Sequence, residues 1–299
     1  GFSTNKDELY KQLEPWAGSF VRVFVFCDLR GGMNFNDAGE LTGIDASAYD
    51  DMDALIEVAE RLGIKLLPVL TDFTIADGVE TELDGEGRDV VVGEHAELLN
   101  DSTGQRSDFI DLLATFVNHY SAETSIHAWE IMNEPEECID NAVISDLEMQ
   151  AFVMETILDL HVADPDTPIT LGARDRNTLM AYWTDAALGV GAADGLDLYQ
   201  IHYYNYMEIS GKQLDFPAAG LGLSKPILLG EVDPTQDPFT NNMTILERLV
   251  NIYNNGYTGA MFWQDDNGFD GALDGEAHDE IMDWWYQGAA VEETYPSTN

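Results

Sequence analysis

Two glutamates stand where short apolar runs give way to polar residues. Glu134 follows Trp129-Glu130-Ile131-Met132-Asn133 and precedes Pro135, and Glu231 follows Ile227-Leu228-Leu229-Gly230. Far apart in sequence, they can still reach one pocket if the runs are strands of a closed parallel ring. Two carboxyls about 5 Å apart can break a glycosidic bond with retention, one protonating the leaving oxygen while the other attacks the sugar from the opposite face. That division of labour requires one carboxyl to stay protonated near neutrality and the other to stay ionised. Other residues at similar positions suit the same chemistry. Arg22 and the Tyr204 hydroxyl can hold an attacking carboxylate as an anion, and His202 stands two residues before Tyr204. Trp263 offers a flat apolar face for a sugar ring.

Such a set is useful only if the fold delivers it to one place. Short β-branched runs alternate with longer stretches of helical period, the order expected of a parallel sheet with crossover helices. Strands are expected at Val21–Phe26, Lys65–Leu70, Ile126–Met132, Ile169–Leu171, Leu198–His202, Ile227–Leu229 and Gly259–Trp263. Between them, Ala54, Leu55, Val58, Ala59 and Leu62 share a helix face that stops at Gly63. Phe109, Leu112, Leu113, Phe116 and Val117 do the same before Tyr120, and Leu246, Leu249, Val250 and Tyr253 before Gly256. The strands read as buried on both faces, as inside a ring of helices. The expected fold is therefore an α/β (β/α)₈ TIM barrel, with active groups at the C-terminal ends of its strands. The count stops at seven: an amphipathic helix, Asp7–Trp16, precedes the first visible strand, and the first barrel strand is not evident. No repeat or linker divides the chain, so residues 1–299 read as a single catalytic domain. The stretches Asp77–Asp89 and Asp265–Asp279 read as long loops.

Taken singly, these residues say little. Asn-Glu-Pro opens many loops, and most carboxylates in so acidic a chain are solvated surface. Order at successive strand ends is what points to a site. In that order the residues resemble a family. Trp129-Glu130-Ile131-Met132-Asn133-Glu134-Pro135 resembles the strand-four "NEP" signature of clan A glycoside hydrolases, and is most like family 5. Arg22 matches the arginine of strand two, His202-Tyr203-Tyr204 the His-x-Tyr of strand six, Leu229-Gly230-Glu231 the strand-seven nucleophile, and Phe262-Trp263-Gln264 the strand-eight tryptophan. The resemblance runs from roughly Val21 to Gln264. It implies Glu134 as acid/base, Glu231 as nucleophile and Asn133 as hydrogen-bond donor to the sugar 2-hydroxyl. It also implies Tyr204 beside the nucleophile, His202 near the acid/base and Trp263 as the floor of a glycosyl subsite. There are departures: the first strand is missing, and the third ends in Thr71-Asp72-Phe73, with no histidine where many members have one. Asp72 is a candidate substrate ligand there.

The resemblance implies a retaining hydrolase of a β-1,4-linked glucan or mannan, secreted and endo-acting, and Met261-Phe262-Trp263-Gln264 leans towards mannanases. Two alternatives stand beside it. One is an exo-acting β-glycosidase or transglycosylase on the same scaffold. The other is a non-hydrolytic carbohydrate-binding barrel, which would have no use for both carboxylates.

Composition narrows the rest. Fifty-six acidic residues against thirteen basic ones give a formal net charge of −43. Such a surface repels nucleic acid and anionic membranes, and it reads as an adaptation for solubility in high salt. Hydrophobic residues make up 45%, enough for a core, and no apolar run approaches a bilayer span. A monomer is expected. The sequence opens at Gly1 without Met, which reads as a processed or trimmed chain. Cys27 and Cys138 fall near the same end of the expected barrel, where a bridge is sterically conceivable, but two thiols are the expectation. His95, His119, His127, His161, His202 and His278 are scattered, no metal-ligand spacing occurs, and no Gly-rich phosphate loop or GxSxG elbow is present. No cofactor is expected. Asp265, Asp266, Asn267 and Asp270 lack the spacing of a calcium loop and read as solvated. Trp16, Trp129, Trp183, Trp284 and Trp285 read as packing residues, and Arg22, inside a strand, needs a carboxylate partner, with Glu231 or a neighbouring acid expected.

Overall fold

The structure is a computed structural model and describes residues 2–27, 29, 32–76, 80–83, 89–92, 95–141, 143–204, 216–232 and 244–262. The chain divides into two compact units, Gly1–His202 and Tyr203–Asn299.

In the first unit the strands are β1 (Phe20–Phe24), β2 (Met33–Phe35), β3 (Leu41–Ile44), β4 (Lys65–Asp72), β5 (Glu80–Leu83), β6 (Asp89–Val92), β7 (Trp129–Asn133), β8 (Ile169–Ala173) and β9 (Tyr199–Tyr203), whose last residue opens the second unit. A parallel sheet runs β1-β4-β7-β8-β9. Its ladder places Asp72 beside Asn133, Asn133 beside Gly172 and Gly172 beside Gln200. One row across four strands thus sets Asp72, Asn133 and Gln200 around Gly172.

Helices cover this sheet for legible reasons. Asp45 caps the helix Ala46–Leu62 by accepting from Ser47 N–H, and Gly63, at φ +67°, ends it in a left-handed turn. Ser145 and Glu148 form a capping box at the start of the helix Asp146–Ala163. From the helix Arg106–His119, Phe116 meets Phe26 edge-on at 4.9 Å and Trp129 at 6.4 Å, locking helix to strands. Phe109, Leu113 and Val117 of the same helix are buried, on the face that the periodicity predicts.

In the second unit, β10 (Ile227–Val232) and β11 (Gly259–Phe262) pair in parallel, and the helix Ile245–Asn254 lies between them in sequence. Thr244 and Glu247 make its capping box. The parallel ladder slips between Leu229 and Val232, so the segment carrying Glu231 departs from regular pairing. Such irregularities re-aim a side chain at a strand end.

All seven expected strands exist with shifted ends: β4 runs on to Asp72, β7 to Asn133 and β10 to Val232, while β1 stops at Phe24. Among the described residues no strand precedes β1; a 3₁₀ turn at Phe2–Thr4 and the helix Lys6–Leu13 stand there instead. The expected helix Asp7–Trp16 changes to a 3₁₀ turn at Glu14–Trp16, because Pro15 cannot donate to an α-helical ladder. The stretch 77–89 is not a plain loop: β5 and β6 pair antiparallel within and just beyond it. Acidic residues masked its alternation from the sequence reading. The hairpin of β2 and β3 was likewise unexpected. The loop expected at Asp265–Asp279 lies outside the described residues, as do Trp284 and Trp285.

Candidate active site

Glu134 follows β7 directly, and its backbone has φ +41°, a region that costs a non-glycine residue energy. The surroundings hold it there. Its N–H bonds to Gly172 O at 2.7 Å, and its carboxyl Oε1 lies 2.6 Å from His202 Nδ1. His202 is fully buried in β9, whereas the Glu134 side chain is 12% exposed, so the carboxyl has one open side.

Beside it in the first unit lies a buried polar cluster whose side chains are largely paired with one another, as burial demands. Arg22, on β1, donates through Nε and Nη2 to Glu130 at 2.7 and 2.5 Å, and through Nη2 to Asn133 Oδ1 at 2.8 Å. Gln200 Nε2 donates to Glu130 Oε2 at 2.9 Å. Asn133 Nδ2 donates to Asp72 Oδ2 at 2.7 Å, and Asp72 Oδ1 accepts from Thr74 N–H at 2.9 Å. Burial pushes the Asp72 carboxyl up to about 6, against the pull of Thr74, Asn133 and Arg22. Gly172 is what makes room. A Cβ there would stand 2.4 Å from Glu130 Oε1, 2.9 Å from Gln200 Nε2 and 3.0 Å from His202 Nε2.

The sequence reading placed Arg22, Asn133, Asp72, His202 and Glu134 in a site, and the first unit brings all five into this connected cluster. It did not single out Glu130, Gln200 or Gly172. Glu130 stands four residues before Glu134 in an alternating strand, so its side chain points to the barrel interior by parity. That signal was present, but Trp129-Glu130 read as strand rather than site.

A second missed carboxyl is Glu136. Fully buried, it opens the short helix Glu136–Asp140, with Trp183 Nε1 donating to its Oε1 at 2.5 Å and Arg174 N–H to its Oε2 at 3.3 Å. Arg174 in turn reaches Glu137 at 2.7 Å and Asp140 at 2.8 Å, tying the segment after Glu134 to the end of β8. Desolvation raises the Glu136 carboxyl from 4.5 to about 7, with the hydrogen bonds opposing. A raised folded-state value favours the neutral form. Its stabilising contribution is therefore complete below pH 4.5 and lost as pH climbs through about 7. Glu136→Gln stays neutral, so its unfolding free energy relative to the parent is expected to rise across that window by at most about 3 kcal/mol. Urea unfolding at pH 4.5 and pH 8 in matched salt measures this; a pH-independent difference would refute it.

In the second unit Glu231 is buried at the irregular end of β10, and the Tyr204 hydroxyl donates to its Oε2. A hydroxyl donated to a carboxylate oxygen favours its anionic form. Trp263 lies outside the described residues. Trp129 and Trp183 are packing residues, as expected, each also donating its indole N–H: Trp129 to Asp164 at 3.0 Å and Trp183 to Glu136. Cys27 and Cys138 are thiols; Sγ of Cys27 is 3.9 Å from Thr74 Oγ1, and Sγ of Cys138 donates to Phe73 O at 3.3 Å.

No family model matches the chain. It is similar to the mannan endo-1,4-beta-mannosidase of Mytilus edulis, 23% identical over 297 residues covering 88% of this chain and 77% of the relative. It is likewise 23% identical over 290 residues to that of Cryptopygus antarcticus, covering 85% and 72%. Among solved structures, the endo-1,4-beta-mannanase from Eisenia fetida superposes with a TM-score of 0.72 at 20% identity, covering 94% of this chain and 83% of that one. The beta-1,4-mannanase from Aplysia kurodai gives 0.72 at 22%, covering 94% and 87%. The shared fold is the (β/α)₈ barrel, and these likenesses agree with the clan A, family 5 resemblance of the strand-end motifs.

Proposed function

We propose that the chain is a secreted, endo-acting, retaining hydrolase of β-1,4-linked mannan, with Glu134 as acid/base and Glu231 as nucleophile. The observation that carries the substrate is that both relatives just described act on mannan, over most of this chain's length. The family resemblance alone left glucan and mannan open. In a (β/α)₈ barrel the strand C-terminal ends share one rim, and this reading assigns to it Glu134, which follows β7, and Glu231, in the end of β10. The two units then act as one catalytic domain.

On this reading Glu134, protonated, gives its proton to the glycosidic oxygen while the Glu231 carboxylate attacks the anomeric carbon. The leaving chain departs with that proton, and an ester joins sugar to enzyme. Glu134, now a base, takes a proton from water as the water oxygen attacks the same carbon and frees Glu231. Tyr204 steadies Glu231 as an anion, and Asn133 keeps one amide N–H for the sugar 2-hydroxyl. Arg22, His202 and Glu130 hold these groups in place, and Trp263 stacks on the sugar. A binding protein would need neither the strained Glu134 backbone nor two carboxyls.

A net charge of −43 suits a monomer in high salt, outside the cell, where counterions screen self-repulsion. The test is reducing-sugar release in molar salt from mannan, carboxymethylcellulose, mixed-linkage glucan, xylan and chitin, alongside melting at low and molar salt. Mannan is expected to yield mixed short oligosaccharides, and melting is expected to rise with salt. Cleavage of glucan but not mannan overturns the substrate; single mannose units as the sole product overturn endo action. Melting indifferent to salt overturns the salt adaptation.

A further inference from the structure

We infer that Asp72 is a positioning residue for Asn133, fixing which way its amide faces and so how a sugar beside Glu134 is held. This rests on the glycosidase reading above and departs from a role for Asp72 as a substrate ligand. Asp72 and Asn133 are register partners across β4 and β7. The two ends of the Asn133 amide are assigned by chemistry. Its oxygen faces the Arg22 guanidinium, which can only donate, at 2.8 Å, and its nitrogen faces the Asp72 carboxylate at 2.7 Å. Flipping the amide would set N–H against N–H and oxygen against oxygen. Without Asp72, only Arg22 would oppose that flip.

Asp72 has a second task at the same moment: its other oxygen accepts from Thr74 N–H at 2.9 Å. The position therefore demands two acceptors at once, in a side chain only 4% exposed, where water is a poor substitute. A carboxylate supplies both. An asparagine supplies one, and its amide nitrogen must then face either Asn133 Nδ2 or Thr74 N–H, donor against donor. With both oxygens engaged inside the protein, Asp72 reaches the sugar through Asn133.

The experiment is a double-mutant cycle on the full chain with mannan as substrate: Asp72→Asn, Asn133→Ala and the pair. Asp72→Asn is expected to keep its fold and lose about ten- to hundredfold in kcat, with KM changed little. In the Asn133→Ala background the same change is expected to cost nothing further. Multiplying losses, or a loss confined to KM, would overturn the inference. A readout independent of activity is solvent exchange of the Asn133 side-chain amide protons by NMR. The proton directed at Asp72 is expected to be protected in the parent protein and to lose protection in Asp72→Asn. A parent amide exchanging as fast as a solvated asparagine refutes the inference however the variants behave. Inactivity of the parent on mannan refutes the function instead, and leaves the amide readout to decide on Asp72.

Discussion

Glu231→Ala is expected to abolish mannan turnover, and azide is expected to restore cleavage of an activated aryl β-mannoside with an α-configured glycosyl azide as product. The configuration carries the argument. With the nucleophile gone, a small anion can occupy its space and attack the anomeric carbon once, inverting it. Glu134→Ala is expected to behave oppositely. Loss of an acid/base costs about 10²–10⁴-fold on a substrate that needs protonation, but a nitrophenolate leaves without help. The glycosyl ester on Glu231 then forms and waits, and azide opens it in a second displacement, giving the β-configured azide. The two products separate the roles even though both variants look inactive on mannan. A β-azide from the Glu231 variant, or mannan hydrolysis by it, would remove Glu231 from the nucleophile's place. Folding should be intact in both. Glu134 sits at φ +41° with its side chain partly open, and the smaller residue relieves rather than adds crowding there.

The same strand ends show how much a sequence discloses. Polar strand ends were enough to bring out Asn133, Glu134 and His202, because active groups of a parallel barrel gather where strands stop; Arg22, in the middle of β1, stood out instead as one of few cations, as a strand cation in need of a carboxylate partner, and through the family resemblance. Glu130 escaped notice because it lies inside the strand, where a carboxylate is intelligible only once its partner is known, and that partner, Arg22, is 108 residues away in sequence. Gly172 escaped for a similar reason. A glycine in β8 carries no signal of its own; its necessity comes from three side chains on β7 and β9 converging on the space a Cβ would fill. Glu136 was hidden by proximity, since in Glu134-Pro135-Glu136 the first acid attracts the chemistry and the second reads as solvated. Its burial depends on Trp183, brought over by the chain following β8. The hairpin of β5 and β6 was lost for another reason, the acidic bias of the whole chain, which obscures the alternation of so short a pair of strands.

Glu130→Gln is expected to destabilise the protein by about 3–5 kcal/mol, the largest stability loss anticipated for any single substitution of this cluster. Three N–H donors, two from Arg22 and one from Gln200, converge on the two oxygens of a fully buried carboxylate. An amide offers one acceptor and brings two more donors. Gln200 can turn its own oxygen to meet them, but nothing in that rearrangement returns the negative charge that Arg22 faces. Gly172→Ala attacks the same group from the other side and is expected to lose stability as well, by forcing a Cβ against Glu130 Oε1. The instructive comparison is the double variant Arg22→Met with Glu130→Leu. Removing both charges removes the desolvation cost of burying them, so this protein is expected to be more stable than Glu130→Gln and to approach the parent in urea unfolding at molar salt. It is nonetheless expected to lose much of its activity on mannan, because the Asn133 amide oxygen has lost its donor and Asp72 alone then sets the amide. Stability recovered with activity lost would show that the ion pair is kept for the geometry of the site. Were the double variant as unstable as Glu130→Gln, the pair would instead be holding the sheet together, and were it as active as the parent, Arg22 would have no part in arranging the site.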